Sequence, residues 1–522
     1  MSLLTANRPL AHLTPPSGWM SDPNGLWYDA KEGLWHCYYQ YNPLNAVWDI
    51  PIYWGHAVSS CGMKWEHMGI AIKPRTDRAG VFSGSAVVDY NNSSGFFSDA
   101  VDPRQRVVAL WTRNTNGNQS QMVSYSLDGG YTFEEYANNP VLDIGASNFR
   151  DPKVIWHEET RRWIMVVAMS QKFEILIYSS TNLTDWKYES SFAHQGCKGY
   201  QYECPALAKI PLLNAEGEEI KSPPESNWVM FVSISPGAPQ GGSATQYFIG
   251  DFNGTTFTPT TPQARFMDWG RDFYAFQPSF NSPNGKDVLG LAWACNWQYA
   301  LQVPTDNWKS SLTLMRQFHL QKHNTTQEYS ELALYSSPVW NTDKLERGTM
   351  HHWDGIEVES NSVSIFNMTS GAKGLLEFSM EWSVNTAEVS KADFADLSLY
   401  FKGAMSEVEY LRLGFEANAG SFFIERDHSR INFVHENPFF TSKVAVDLSP
   451  YSISNGVATY KVRGIIDRNV IELFFNDGAM AATTTFFVSN ENYIGWLEVR
   501  SSVNKVYKIT DISAQQLNTI TD

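Results

Sequence analysis

The sequence predicts an all-β protein in two units: a five-bladed β-propeller over residues 1–322 and a β-sandwich over 351–522, joined by a linker at 323–350. Three observations point there. Short alternating runs such as Trp35–Tyr41, Val107–Trp111 and Trp163–Val167 are punctuated by Gly, Asn, Asp and Pro, and long helical periods are scarce. A strand, a polar turn and an aromatic residue opening the next strand recur in His56–Glu66, Val123–Glu134, Ile177–Lys187 and Phe248–Thr258, with the aromatic at Trp65, Phe133, Trp186 and Phe257. One outer hairpin roughly every 50–70 residues is what a four-stranded blade needs, and the chain from residue 8 to about 322 has room for five. Ordinary sandwich hairpins use the same turns, but the spacing favours the propeller. Finally, the texture changes at His323–Thr349, which is polar and irregular. Beyond it, Gly374–Asn385, Leu397–Ala404 and Val470–Gly478 alternate as sandwich strands do. Only Thr386–Ala395 fits no strand.

Composition narrows the function. Charged residues are 18% of the 522, below the roughly 25% of an average domain, and the net charge is −16. So acidic a surface repels phosphate backbones and anionic membranes, which leaves a neutral small molecule as the expected partner. Nineteen Trp, 24 Tyr and 30 Phe fill cores, and they also offer the flat faces that sugar rings stack on. The five cysteines are scattered without a Cys-x-x-Cys pair, so no metal is expected and buried thiols are. The first 16 residues lack the charge and apolar run of a signal peptide, and no stretch approaches 18 apolar residues. Seven Asn-x-Ser/Thr sites, at Asn91, Asn92, Asn118, Asn182, Asn253, Asn324 and Asn367, favour a secreted or cell-wall protein whose signal has been trimmed, with a cytoplasmic form as the alternative.

Hydrolysis of a glycosidic bond needs two carboxyl groups flanking the anomeric carbon. Three acids stand in unusual company. Asp22 precedes Pro23-Asn24-Gly25, which reads as a tight turn holding the carboxylate at a channel mouth. Asp151 follows Arg150 and precedes Pro152; the neighbouring cation is expected to keep it ionised. Glu203 sits in Tyr200–Pro205, where aromatic and apolar neighbours are expected to raise its pKa into the range of a general acid. Taken singly, Asp22 reads more readily as the first residue of an ordinary turn and Asp151 as a surface turn with an ion pair, and Glu203 also fits a solvent-facing strand end.

Together they resemble glycoside hydrolase family 32, and within it the invertase and inulinase branch. The resemblance rests on His12–Ala30, Tyr39–Pro43, Tyr53–Ala57, Phe82–Ser85, Tyr125–Phe133, Phe149–Val154, Tyr202–Pro205 and Ala294–Ala300, and extends through Phe394–Gly403 and Ile471–Gly478. It implies a five-bladed propeller followed by a sandwich, and a retaining β-fructofuranosidase that releases terminal fructose from sucrose and related fructosides without a cofactor. Transfer to a second sugar is expected at high sucrose. By position, Asp22 matches the family's nucleophile, Asp151 its transition-state stabiliser and Glu203 its acid/base. Ser21, Gln40, Trp48, Phe82, Ser83, Arg150, Tyr274 and Trp297 fall on motifs resembling those around the family's fructose pocket.

Three positions depart from the pattern. Ser21 stands where the family usually has Asn, which should loosen one hold on the bound sugar and alter the balance of hydrolysis and transfer. Asp49 replaces the Gly after Trp48. Lys309, after Trp308, replaces an Arg whose bidentate fork it cannot copy. Two other readings use the same residues: a fructan exo-hydrolase, or a silent sugar-binding propeller, which loss of an acid would favour. Exposed sandwich edges suggest a homodimer or higher oligomer.

Overall fold

The computed structural model describes residues 7–220, 227–324, 328–340, 345–360 and 363–519. Five antiparallel sheets follow one another, each starting at the centre. They begin with strands Gly18–Asp29, Ala79–Val88, Phe149–His157, Tyr202–Lys209 and Tyr274–Pro278. Each of these inner strands packs on that of the next blade, and the fifth returns to the first, closing a ring around a central channel. The ring is sealed by Trp308–Lys309, which leaves blade five and pairs in parallel with Gly18–Trp19. Lys309 also donates one hydrogen bond to Val303 O at 2.7 Å, a single brace in place of a fork.

The repeated aromatics sit where a blade repeat requires. Trp65, Phe133 and Trp186 immediately precede the fourth strands of blades one to three, and Phe257 opens that of blade four. The expected linker at 323–350 is largely strand instead. Ser330–Pro338 pairs with Arg316–Asn324 as the outer hairpin of blade five, and Leu345–Glu357 already belongs to the sandwich. Tyr329 precedes Ser330 as the other aromatics precede their strands. It was hidden because the run around it is polar.

Two sheets form the second unit around one apolar core that includes Phe378, Trp382, Leu397, Phe415, Ile471 and Ile512. The stretch Thr386–Ala395 opens with a one-turn helix at Thr386–Val389, where the chain crosses from one sheet to the other. Among the described residues no helix is long and apolar enough to cross a membrane.

A buried charged network joins the units. Arg316 of blade five donates to Asp268 Oδ2 at 2.9 Å and to Glu472 Oε2 of the sandwich at 2.6 Å. His12 lies between Asp467 Oδ2 (2.8 Å) and Glu472 Oε1 (3.0 Å), while Asp467 also accepts the backbone N–H groups of Leu10, Ala11 and His12. Trp269 N and Asp272 N donate to Ala481 O and Thr483 O, so the propeller itself covers the edge strand Met480–Thr485. That approach is close enough to need Gly270, where a Cβ would lie 1.9 Å from Thr483 O.

Burial alone would lower the imidazolium of His12, but its hydrogen bonds and attraction to Asp467 and Glu472 overcome burial and raise it to about 9. A group raised on folding contributes stability that is complete below its unfolded value of about 6.5 and is lost as pH climbs through the folded one. The melting temperature should therefore decline as pH rises through about 9. His12→Ala should cost about 3–5 kcal/mol, the scale for breaking a buried pair, and should abolish that alkaline decline. Calorimetry of both proteins between pH 6 and 10 checks this; parallel curves would refute it.

Candidate active site

Successive side chains of a regular strand point to opposite faces. In each inner strand here the register slips by one residue at the same height. Ser21 and Asp22 oppose Gln40 alone, and Ser83 is inserted between Phe82 and Gly84. Asp151-Pro152, Cys204-Pro205 and Ala275-Phe276 each oppose a single partner residue. These are β-bulges, and they let neighbours in sequence face the same way. Asp22 therefore lies within a strand and not before a tight turn. Pro23, Pro152 and Pro205 suit the places where a ladder hydrogen bond is missing. Three of the bulged residues, Asp151, Cys204 and Ala275, adopt left-handed φ of 66°, 44° and 55°. Gly84 is required by contact, since a Cβ there would meet Leu110 O at 2.0 Å.

The result is a pocket of about 270 Å³ at the channel mouth. It brings together all eleven residues singled out from the sequence: Ser21, Asp22, Gln40, Trp48, Phe82, Ser83, Arg150, Asp151, Glu203, Tyr274 and Trp297. Three consecutive pairs, Ser21/Asp22, Phe82/Ser83 and Arg150/Asp151, line it because of the bulges. Gln201 and Ser235 line it too, and were missed. Among the described residues, none from the sandwich lines it.

The three carboxyl groups are held differently. Asp22 Oδ2 accepts from Ser83 Oγ at 2.7 Å, while its buried Oδ1 has no partner among the described residues. Asp151 Oδ2 accepts from Cys204 N at 2.9 Å. The Cys204 thiol lies 3.6 Å from Asp22 Oδ2 and 3.7 Å from Asp151 Oδ2, close enough to give its one weak donor to either. Glu203 is clamped on both oxygens: Arg150 donates to Oε1 at 2.8 and 3.2 Å, and the Tyr274 hydroxyl donates to Oε2. Arg150 is itself fixed by Gln119, Asn148 and Gln201.

This revises two expectations. Arg150 pairs with Glu203 and stands 3.9 Å from Asp151, so it does not keep Asp151 ionised as its neighbour in sequence was expected to. Burial dominates, and with the charge of Glu203 it pushes Asp151 up to about 7 against the pull of Arg150. Glu203 does not meet the apolar surroundings expected of it. Asp22 is raised by burial to about 6, with Ser83 opposing and Glu203 reinforcing the shift.

Apolar faces complete the pocket. Trp297 stacks on Trp19 with centroids 5.6 Å apart, and Trp48, 39% exposed, meets Phe82 edge-on at 6.1 Å. Gln40 donates to Val81 O at 3.0 Å, and Ser21 is buried against the pocket wall. Asp49, beside Trp48, accepts from its neighbour Ile50 N. The pocket contains no group of ligands spaced for a metal. Among the described residues such spacing occurs at His352, Asp354 and Asp511, on the sandwich surface.

Residues 12–331 match the family described as glycosyl hydrolases family 32 N-terminal domain, and residues 342–515 match the glycosyl hydrolases family 32 C terminal. The chain is 47% identical to Invertase 2 of Saccharomyces cerevisiae over 516 residues, covering 98% of this chain and 95% of the relative. It is 46% identical to an extracellular exo-inulinase of Meyerozyma guilliermondii, covering 96% and 94%. The structure of β-fructofuranosidase from Schwanniomyces occidentalis complexed with fructosyl-erythritol superimposes with a TM-score of 0.91 at 42% identity, over 98% of each chain.

The hydrogen bond from Ser83 is what most restrains the upward shift of Asp22. Ser83→Ala should raise the Asp22 midpoint above about 6. The rise should be about one to two pH units, since a hydrogen bond to a charged group is worth about 1.5–3 kcal/mol. Carbon-13 NMR of the carboxyl carbons reads the midpoint directly, and an unmoved one would contradict this.

Proposed function

The chain belongs to glycoside hydrolase family 32 and is a β-fructofuranosidase, and on that footing we propose how its residues divide the work of a retaining hydrolysis. Asp22 is the nucleophile. Its carboxylate attacks C2 of the terminal fructosyl unit while the bond from C2 to the glycosidic oxygen breaks, and Glu203 delivers a proton to that leaving oxygen. Water then attacks C2 of the fructosyl-enzyme, Glu203 takes the proton, and Asp22 is released. The observation that carries the reading is the convergence of three carboxyl groups on one pocket, with Asp22 held by Ser83 and the Cys204 thiol and Glu203 by Arg150 and Tyr274.

The developing fructosyl cation is electron-poor, and the carboxylate of Asp151 stabilises it electrostatically in a pocket that excludes much of the water. Three acids in one such pocket resist carrying three negative charges, which favours retention of a proton by the trio up to near neutrality. Arg150 and Tyr274 fix Glu203 in place for its two proton transfers. Gln40, Arg150 and Ser21 face the sugar hydroxyls, and Trp48, Phe82 and Trp297 its apolar faces. The shorter side chain at Ser21 leaves room beside the nucleophile for water or an acceptor sugar, so transfer accompanies hydrolysis at high sucrose. Sucrose and fructo-oligosaccharides are the proposed substrates. The likeness to an exo-inulinase supports a second reading as a fructan exo-hydrolase, which the ratio of fructose released from sucrose and from inulin decides.

We also propose secretion and a homodimer. The first is supported by the extracellular relative and by sites such as the exposed Asn91. The second is supported by the outer strand Val363–Asn367, which turns Val363 and Ile365 to solvent on an uncovered sheet edge. Light scattering at micromolar concentration should give twice the 59.0 kDa chain mass; a monodisperse monomer would end the dimer proposal.

Asp22→Asn and Glu203→Gln should each fold and lose at least about a thousandfold in kcat on sucrose, within the range for a nucleophile or a general acid. In the parent enzyme kcat/KM should fall as pH drops from about 7 through about 6, because Asp151 acts as a carboxylate and the nucleophile must be ionised, and both take up protons there. Either variant keeping a tenth of parent turnover would overturn the assignment.

A further inference from the structure

Directly below the pocket, the channel is closed by two polar residues to which the reaction above gives no part. Lys153, only 3% exposed, extends from the inner strand of blade three and donates from Nζ to Gln277 Oε1 and to Pro278 O of blade five. Gln277, 8% exposed, passes the connection on: its Nε2 donates to Pro23 O of blade one at 3.3 Å and to Gly84 O of blade two at 3.1 Å. Those carbonyls belong to the residues following Asp22 and Ser83, the hydrogen-bonded pair at the heart of the site. Four of the five inner strands are thus tied at one point. A cavity of about 10 Å³, the space of a single water, separates this knot from the site; Ser83, Asp151 and Cys204 line it from above, Lys153 and Gln277 from below.

The chemistry of the pair is unusual for a core. A lysine is almost never fully buried unless paired, yet the two acceptors here are neutral, and burial lowers its pKa to about 7. For packing alone, an apolar side chain of the same length would serve at less cost. What Lys153 adds is direction. Its donors fix the carbonyl end of the Gln277 amide, so that the amide's NH₂ must face Pro23 O and Gly84 O.

We propose that Lys153 and Gln277 form a positioning unit for the fructosyl transfer, holding the bulges that carry Asp22 and Ser83 at the height where the Asp22 carboxylate reaches C2. The inference rests on the assignment of Asp22 as nucleophile. Neither residue touches substrate, so both act on kcat through geometry.

The test compares Lys153→Met, Gln277→Met and the double variant in the full-length enzyme, reading kcat and KM on sucrose together with the melting temperature. Each single variant should lower kcat by about ten- to a hundredfold, the scale for a misplaced reacting group, with KM within about threefold of the parent. The double variant should be no slower than the worse single one, since either change breaks the same unit. Lys153→Met should change the melting temperature little, because removal of a buried cation with neutral acceptors is set against leaving Gln277 Oε1 and Pro278 O without this donor. A parent-like kcat in folded Lys153→Met, or multiplicative losses in the double variant, would overturn the proposal. If Lys153→Met does not fold, Gln277→Glu decides: it keeps size and the contact with Lys153 but replaces both donors with an acceptor. It should show the same loss of kcat, and full activity there would overturn the unit. Asp22→Asn, assayed alongside, separates the two claims. An inactive Asp22→Asn beside a fully active Lys153→Met removes only the positioning unit, whereas an active Asp22→Asn removes the nucleophile assignment itself.

Discussion

Three carboxyl groups share one small, poorly hydrated pocket, and the design of the channel answers the repulsion among them. Each ionised acid raises the cost of ionising the next, and burial adds to it, as the upward shifts of Asp22 and Asp151 record. One guanidinium, Arg150, is spent on Glu203, and its three further partners prevent it from moving to Asp151. Neutral donors hold the other two acids: Ser83 for Asp22, Cys204 N for Asp151, and the Cys204 thiol between them. The acids are thus kept near one another without a second cation among them, and their charge stays available to a cationic transition state.

The inner strands achieve this placement by an irregularity repeated five times. Every blade presents a strand whose regular alternation would bury one residue for each one shown to the channel. One extra residue per strand turns that alternation into a pair. The strain of left-handed φ at Asp151 and Cys204 is tolerated because sheet pairing on both sides of each bulge fixes the backbone. Blade five uses the same device with Ala275 and Phe276, which bear no chemistry, and sets Gln277 beneath the site.

Much of this was legible in the sequence, for identifiable reasons. The strand and turn rhythm gave the blades, whereas the pocket was legible only through the resemblance to family 32, since each acid taken alone also fits an ordinary turn or strand end. The hidden parts are those that depend on register or on distant partners. Asp22-Pro23-Asn24-Gly25 has turn composition, yet long-range pairing with Leu34–Asn42 keeps it a strand. Arg150 is next to Asp151 in sequence, but the bulge directs its side chain to Glu203, 53 residues on. Ser235 comes from the end of a second strand with no motif around it, and only the closing of blade four against the channel makes it part of the wall. The outer hairpin of blade five was mistaken for a linker because the run around Tyr329 is polar.

The seal on the ring has a bearing on synthesis. The strand that carries Asp22 is made almost three hundred residues before its parallel partner, Trp308–Lys309. The acids that anchor Leu10–His12, Asp467 and Glu472, come near the very end. At about 5–20 residues per second, translation leaves the first blade without its closing partner for tens of seconds. The nascent chain therefore carries Asp22 well before the ring that holds it can close. In a chain assembled in this order the propeller is braced late, by acids some four hundred and fifty residues away in sequence from the segment they anchor.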